Sequence, residues 1–402
     1  VNFVENQTIN SDLFVSGANQ HAVLMSNRTL LAYDDGRGAL IEIVLEVDTE
    51  EDLRAGATVS LLPLSRPESV EKALRLFSYT GEEKVRLSGP VVTNGESVVL
   101  TTREMFSRFV NVESLIDSVG LESLVQAGLV DWSMIESRIG NIESATIRPT
   151  VLDVLSLAPG RRLEVGSFLD IVGGPVARSY SISNNVRADA GRCEIVVARR
   201  CFSGIDLLGD VSIHSDLTPS YLQEVPTGGR LQLASATRRS RSLDECVSNR
   251  NGLVVICGGS AIGFIRGLLN ERMVGADSVG AGGPRTALFF GSATRPTDEP
   301  FRGSFLSWQS KGRLIYRPCH SLGGHQRVKY VHEALWMERT LLSEMIERGA
   351  QVLIAGRRSG FGTEAIAVLK RILLECSSWP EGRICELFAT GEDGRLVTEW
   401  FG

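Results

Sequence analysis

Ala22–Leu30 and Ala39–Val47 are apolar-rich runs of strand length, which predicts two strands. The turn-rich Tyr33-Asp-Asp-Gly separates them. Ala55–Leu61 is also strand-like, and Pro67–Phe77 then shifts to helical spacing, with Val70, Ala73, Leu74 and Phe77 on one face. Glu96–Arg103 predicts another strand. Phe106, Phe109 and Val110 follow at i, i+3 and i+4, and Leu115, Val119, Leu124, Leu129, Trp132 and Ile135 continue the apolar stripe. This spacing predicts a small helical insert from about Arg103 to Ile142. A short helix at Val151–Leu155 precedes a second β-patterned region from Arg178 to Leu233, with strands at Ser179–Ser183, Cys193–Ala198 and Arg230–Leu233.

The period changes after Asn251-Gly252. Leu253–Cys257 is a continuous apolar run, as a strand buried on both faces requires. Gly258-Gly-Ser-Ala is a turn, and Ile262–Glu271 a helix. Strands at Thr286–Gly291, Arg313–Arg317 and Gln351–Gly356 then alternate with helices at His332–Arg348 and Thr363–Cys376. That alternation predicts a doubly wound parallel α/β sheet. The expected division is a β-rich domain over 1–245, with its helical insert at about 103–150, and an α/β domain over 246–402.

A chain of 402 residues is longer than one core usually serves, which agrees with two or three domains. Hydrophobic residues make up 43% and charged residues 22%, as in an ordinary soluble globular protein. The longest apolar runs have strand length, so no membrane span is expected. A net charge of −6 argues against a nucleic-acid partner. Arg238, Arg239 and Arg241 form a local exception and read as a solvated loop. Seven cysteines without a CxxC pair suggest a reducing cytoplasm rather than a disulfide or zinc framework. Cys319, His320 and His325 lack a fourth ligand, so no metal site is expected. The start Val-Asn-Phe-Val has no signal-peptide pattern, and its lack of Met suits a processed chain or a piece of a larger enzyme.

Two segments carry candidate chemistry. In the first, a buried strand feeds Gly258, Gly259 and Ser260 and then a helix, so backbone N–H groups and the helix N-terminus could meet a pyrophosphate. In the second, Arg178-Ser-Tyr-Ser-Ile-Ser sets an arginine fork, an aromatic ring and small hydroxyls along a strand. Taken singly, the one is an ordinary βα turn and the other an ordinary strand.

Together and in this order they resemble the ferredoxin–NADP reductase superfamily. The likeness is to the FAD/NADP(H) reductase half of diflavin reductases of the cytochrome P450 reductase and sulfite reductase flavoprotein type. Arg178-Ser-Tyr-Ser is similar to the family's Arg-x-Tyr-Ser motif, and Cys257–Gly267 with Leu268-Leu-Asn-Glu-Arg to its glycine-rich dinucleotide segment. Leu288-Phe-Phe-Gly-Ser, Val328-Lys-Tyr-Val-His and Arg395-Leu-Val-Thr-Glu-Trp-Phe resemble three later motifs. The resemblance implies an antiparallel FAD-binding β-barrel followed by the NAD(P)-binding α/β domain, without the flavodoxin-like FMN domain.

It further implies FAD and NADPH as cofactors, with NADH not excluded. Electrons would pass through FAD to a protein acceptor: a flavodoxin or FMN domain, an iron–sulfur protein or an oxygenase. Carried over by position, Arg178 binds the FAD diphosphate, Tyr180 stacks on the flavin, and Val196 and Ala198 offer backbone to it. Ser181 and Glu399 flank the hydride path, and Phe401 covers the flavin face. Thr218 or Ser220 would serve the diphosphate loop, where Pro219 stands in place of a backbone donor. Gly259 and Ser260 would hold the pyrophosphate, and Arg295, Arg327 and Lys329 are the basic candidates for the 2′-phosphate. The family's catalytic cysteine is Ala355 here, Ala261 adds a methyl in the dinucleotide turn, and the family's Ser-Arg pair is replaced within Cys319-His-Ser-Leu. These departures leave open an alternative, a catalytically degenerate subunit that serves as a flavin-binding or scaffold protein.

Overall fold

The structure, a computed structural model, describes residues 3–8, 21–33, 38–48, 51–88, 98–126, 128–131, 133, 149–157, 165–205, 211–276, 286–322, 328–389 and 395–401. The earlier strands are β1 (Phe3–Thr8), β2 (His21–Ala32), β3 (Gly38–Val47), β4 (Thr58–Leu62), β5 (Lys84–Ser88), β6 (Val98–Thr101), β7 (Arg178–Ser181), β8 (Arg192–Ile205), β9 (Val211–Ser215) and β10 (Arg230–Thr237). The later ones are β11 (Leu253–Gly258), β12 (Thr286–Ser292), β13 (Leu314–His320), β14 (Gln351–Gly356) and β15 (Leu396–Trp400). Seven strands form one sheet in the order β7-β4-β10-β2-β3-β8-β9. The β10–β2 and β8–β9 pairs are antiparallel. An antiparallel bridge between Ile182 and Ile195 joins the continuation of β7 to β8, which closes the sheet toward a barrel. No helix among the described residues is long and apolar enough to cross a membrane.

The chain resolves into two compact units. The first comprises Val1–Leu24, Val59–Ser179 and Arg199–Ser235; the second comprises Met25–Thr58, Tyr180–Ala198 and Ala236–Gly402. In the first unit, helix Pro67–Leu76 starts with proline at its first position, where the missing N–H is not needed, and buries Val70, Ala73 and Leu74. Capping boxes at Thr101/Glu104 and Thr150/Asp153 start two further helical segments. Phe77, Phe106 and Phe168 pack at ring-centroid distances of 5.2–6.3 Å within this unit's core.

The apolar stripe expected over 103–142 is only partly continuous. Phe106, Val110, Leu124 and Leu129 are buried, whereas Leu115 and Val119 are exposed. A π-helical turn at Met105–Phe109 and a new helix at Ser118–Gln126 flank a non-helical connection, so helical phase is lost between them. Trp132 and Ile135 lie outside the described residues. The helix expected over 332–348 is broken at Glu338, giving Val331–Met337 and Arg339–Glu347.

In the second unit, a parallel sheet runs in the order β13-β12-β11-β14-β15. Its inner strands β11, β12 and β14 are apolar on both faces because helices cover both. Val255, Cys257, Leu288, Phe290, Leu353 and Ala355 pack with helix Ile262–Ala276. Val254, Ile256, Ala287, Phe289, Val352 and Ile354 pack on the other side with residues of Val331–Met337, Arg339–Glu347 and Thr363–Cys376.

Candidate functional site

The carboxyl ends of the parallel strands carry the first part of the site. Gly259 has φ +61, a left-handed conformation that favours glycine, and a Cβ built there would meet nothing within 4 Å. Its backbone therefore borders open space. A 3₁₀ turn at Gly259–Ala261 leads directly into helix Ile262–Ala276, with Gly259 and Ser260 half-buried. Ala261 is 2% exposed and belongs to the core cluster under the sheet, so its methyl points inward rather than toward a ligand.

Two glycines farther along that helix do a different job. A Cβ on Gly263 would lie 2.3 Å from Val196 Cγ2, and one on Gly267 would lie 2.1 Å from the Ser183 carbonyl oxygen. Helix Ile262–Ala276 thus lies flush against the strand continuing from β7 and against β8. Arg266, between these glycines, donates from Nη2 to Glu194 Oε2 at 2.6 Å and caps the Phe301 ring at 4.4 Å. Reading the sequence did not single out Arg266, Glu194 or Phe301 as a group. They are remote from one another along the chain, and only the glycine spacing hinted at a close approach.

The terminal strand supplies the acid and the aromatic. β15 pairs with β14 so that Glu399 faces Ala355, which in turn faces Cys257 on β11. The half-buried Glu399 side chain makes no hydrogen bond or ion pair among the described residues, and burial pushes its carboxyl above the ordinary range. The Phe401 N–H donates to the Gly356 carbonyl at 3.0 Å, and its ring meets Phe264 at 5.7 Å. Ala355 is fully buried, and burial alone pushes the neighbouring Cys257 thiol up.

Of the flavin-strand candidates, Arg178 is exposed, whereas Tyr180, Ser181 and Ala198 are half-buried and Val196 is buried. The Ser179 and Ser60 hydroxyls lie 2.7 Å apart. Past the strand, Ile182 exchanges backbone bonds with Gly56 and Ala57, and the Ser183 N–H donates to Glu194 O at 2.7 Å. The Ser183 hydroxyl is buried and has no hydrogen-bond partner among the described residues. Thr218, Pro219 and Ser220 form the buried first turn of helix Leu217–Glu224, where proline's missing N–H costs nothing. Asp216 just before it pairs with Arg200 at 3.1 Å.

Arg295 is exposed before the 3₁₀ turn Pro296–Asp298, and Lys329 is exposed with its backbone N–H bonded to Glu333. Arg327 and His325 lie outside the described residues. His320 is buried rather than turned outward, with Nε2 3.0 Å from Glu299 Oε2. Of the arginine cluster, Arg238 and Arg241 are exposed as expected, but Arg239 is not. The Arg239 side chain is only 5% exposed and binds Asp244, Glu271 and the Ala55 carbonyl. Arg241 does remain in solvent, beside Glu245.

No protein-family model matches the chain. It is similar to the self-sufficient cytochrome P450 monooxygenase of Phanerodontia chrysosporium, 24% identical over 392 residues, covering 94% of this chain and 36% of that protein. The bifunctional cytochrome P450/NADPH–P450 reductase of Fusarium oxysporum is 24% identical over 405 residues, covering 95% of this chain and 35% of the relative. A bifunctional protein of the same description from Bacillus subtilis is 20% identical, covering 87% and 33%. The homologues are bifunctional P450–reductase proteins. The chain spans about a third of the length of these curated relatives. The antiparallel sheet followed by a parallel α/β sheet matches the FAD-barrel and NADP-domain architecture.

Proposed function

We propose that the chain is an FAD-dependent NAD(P)H oxidoreductase that passes electrons to a protein acceptor such as an FMN domain, flavodoxin, iron–sulfur protein or oxygenase. In this reading residues 1–245 form the FAD-binding domain and 246–402 the nucleotide-binding domain. The observation that carries it is one edge of the parallel sheet. There the glycine turn after β11, with its open space at Gly259, shares a sheet with the β15 end that bears Glu399 and Phe401.

Gly259 and Ser260 fit a pyrophosphate, because a Cβ at 259 would occupy the open space where a phosphate would sit. Arg178 and Tyr180 would hold FAD by its diphosphate and its ring, and Val196 and Ala198 would offer backbone. Thr218 and Ser220 would support the diphosphate, and Arg295, Arg327 and Lys329 the 2′-phosphate. The chemistry supplied by bound FAD is the exchange of a hydride for single electrons. Ser181 would donate a hydrogen bond beside the nicotinamide. Glu399 would hold a proton more readily than a solvated carboxyl, because it is half-buried and has no cation at its side. Phe401, tied to β14 by one backbone bond, would shield the site from water and swing aside for nicotinamide. The homologues give no support to the scaffold alternative.

The test is the visible absorbance of purified protein before and after anaerobic NADPH or NADH. A flavin band that bleaches is the expected result. A protein that takes up no FAD sinks the reading.

A further inference from the structure

Tyr180, Ser181, Gly259, Glu399 and Phe401 all belong to the second compact unit, because the division of the chain falls inside β7. On helix Ile262–Ala276, which follows the glycine turn, positions 263, 266, 267 and 271 share one face. Gly263 and Gly267 let that face lie on Val196 and Ser183, and Arg266 pairs with Glu194. Glu271 is the last of the row, and it meets a guanidinium withdrawn from water.

That guanidinium is Arg239, whose side chain is 5% exposed. Its Nη1 donates to Glu271 Oε2 and to the Ala55 carbonyl, both at 3.0 Å. Its Nε and Nη2 donate to Asp244 Oδ1 at 2.8 and 2.6 Å. A planar fork of donors is thus filled from stretches remote along the chain. Glu271 Oε1 is buried without a hydrogen-bond partner among the described residues, so this carboxylate hydrogen-bonds Arg239 through Oε2 alone.

Ala55 opens the loop that grips the strand of Tyr180 and Ser181. The Gly56 N–H donates to the Ile182 carbonyl at 2.8 Å, and the Ile182 N–H to the Ala57 carbonyl at 2.7 Å. Gly56 has φ +87, and a Cβ there would lie 2.9 Å from Leu243 Cδ1 and 3.2 Å from Arg239 Cδ. Glycine lets the stem of the arginine pass. Arg239 therefore joins the helix of the glycine turn to the loop that brackets Ile182, the residue next to Ser181.

We propose that Arg239 and Glu271 are positioning residues for hydride transfer, because their clamp fixes Tyr180 and Ser181 relative to the glycine turn. This rests on the reading of the chain as a nicotinamide-dependent reductase. In that reaction the nicotinamide gives up a hydride, a proton with two electrons, and the flavin takes it up. A misplacement of about 1 Å between reacting groups can cost about 10²-fold in rate. Both residues act through loop 55–57 and the helix, not by contact with the reacting atoms.

Two variants of the full chain test this. Arg239→Lys keeps the charge and loses the fork; Glu271→Gln keeps the shape and loses the charge. In the flavin-free chain, hydrogen exchange of the Gly56 and Ile182 amides should be at least about tenfold faster in each variant, with the β11 amides unchanged. In the FAD-loaded chain, flavin reduction at saturating NADPH should be at least about tenfold slower, with KM and FAD content unchanged. The double variant should be no worse than the poorer single one by more than about twofold. The proposal is overturned if both variants keep wild-type exchange at Gly56 and Ile182, or if both reduce flavin at the wild-type rate. Equal acceleration of the β11 amides overturns it too, since that is a general loss of stability. A wild type that does not bleach sinks the reductase reading and this role with it. A wild type that bleaches beside unchanged variants sinks only the role.

Discussion

Glu399 shows what burial does to one side chain. Its carboxyl is raised by desolvation with no cation to offset it, so ionisation is harder in the folded state than in the unfolded chain. Stability linked to Glu399 is therefore fully present below the unfolded value and is lost as pH rises through the folded one. Glu399→Gln should melt at a higher temperature than wild type at pH 7–8, and the gap should close near pH 4 when melting is followed against pH. The same variant should reduce flavin more slowly, by about 10²-fold if the carboxyl handles a proton. A variant that is both less stable at pH 8 and equally fast would contradict both halves. At the flavin strand, Tyr180→Ala and Arg178→Ala should each lower retained FAD. A lost stacking ring is worth about 0.5–1.5 kcal/mol and a charged hydrogen bond about 1.5–3 kcal/mol. Flavin absorbance per protein after gel filtration measures this, and unchanged stoichiometry in both variants would mean that FAD is held elsewhere. Arg178 and Tyr180 stand out in the sequence because they are close together in one run, and the structure places that run on β7. Arg239 was misread because three arginines within four residues suggest solvent, and its partner Glu271 lies far along the chain.

Elements differ in how their glycines are used. Gly267→Ala would gain up to about 1 kcal/mol of helix propensity, yet its Cβ would sit 2.1 Å from a backbone oxygen of Ser183. Overpacking against rigid backbone costs about 1–3 kcal/mol or more, so the clash wins and urea unfolding should show a net loss. Gly303, in helix Arg302–Ser310, has nothing within 4 Å of its would-be Cβ. Gly303→Ala should be neutral to stabilising in the same assay, which makes the pair a test of the close approach rather than of glycine in general. The insert shows the opposite lesson. Its apolar spacing was read as one stripe, but helical phase holds only within each helix, and Leu115 and Val119 face solvent where the phase breaks. Pro219 was read as a defect in a loop, whereas in the first turn of a helix it removes no hydrogen bond.

The whole molecule sorts its seven cysteines by depth. Cys193, Cys246, Cys257 and Cys319 are buried, Cys201 and Cys385 are intermediate, and Cys376 is exposed. Burial holds the Cys193, Cys246 and Cys319 thiols up at about 12, so little nucleophilic thiolate is available. Native protein should therefore give one fast thiol with an aromatic disulfide reagent, slower reaction at the two intermediate sites, and all seven only after denaturation. Rapid native labelling of Cys257 would contradict the packing of β11.

Local order along the chain determined the two sheet types: strand-length runs bounded by turns follow one another in the first region, whereas in the second continuous apolar runs, as burial on both faces requires, alternate with helices. It also determined the glycine turn and the Arg178–Ser181 strand, whose residues are close in sequence. Tertiary structure alone decided that Cys257, Ala355 and Glu399 share one row, because parallel register depends on how distant strands pack. It alone seated Arg266 between Glu194 and Phe301 and turned His320 inward to Glu299. Buried polar groups must find partners wherever the fold brings them, and separation along the chain carries no record of that choice.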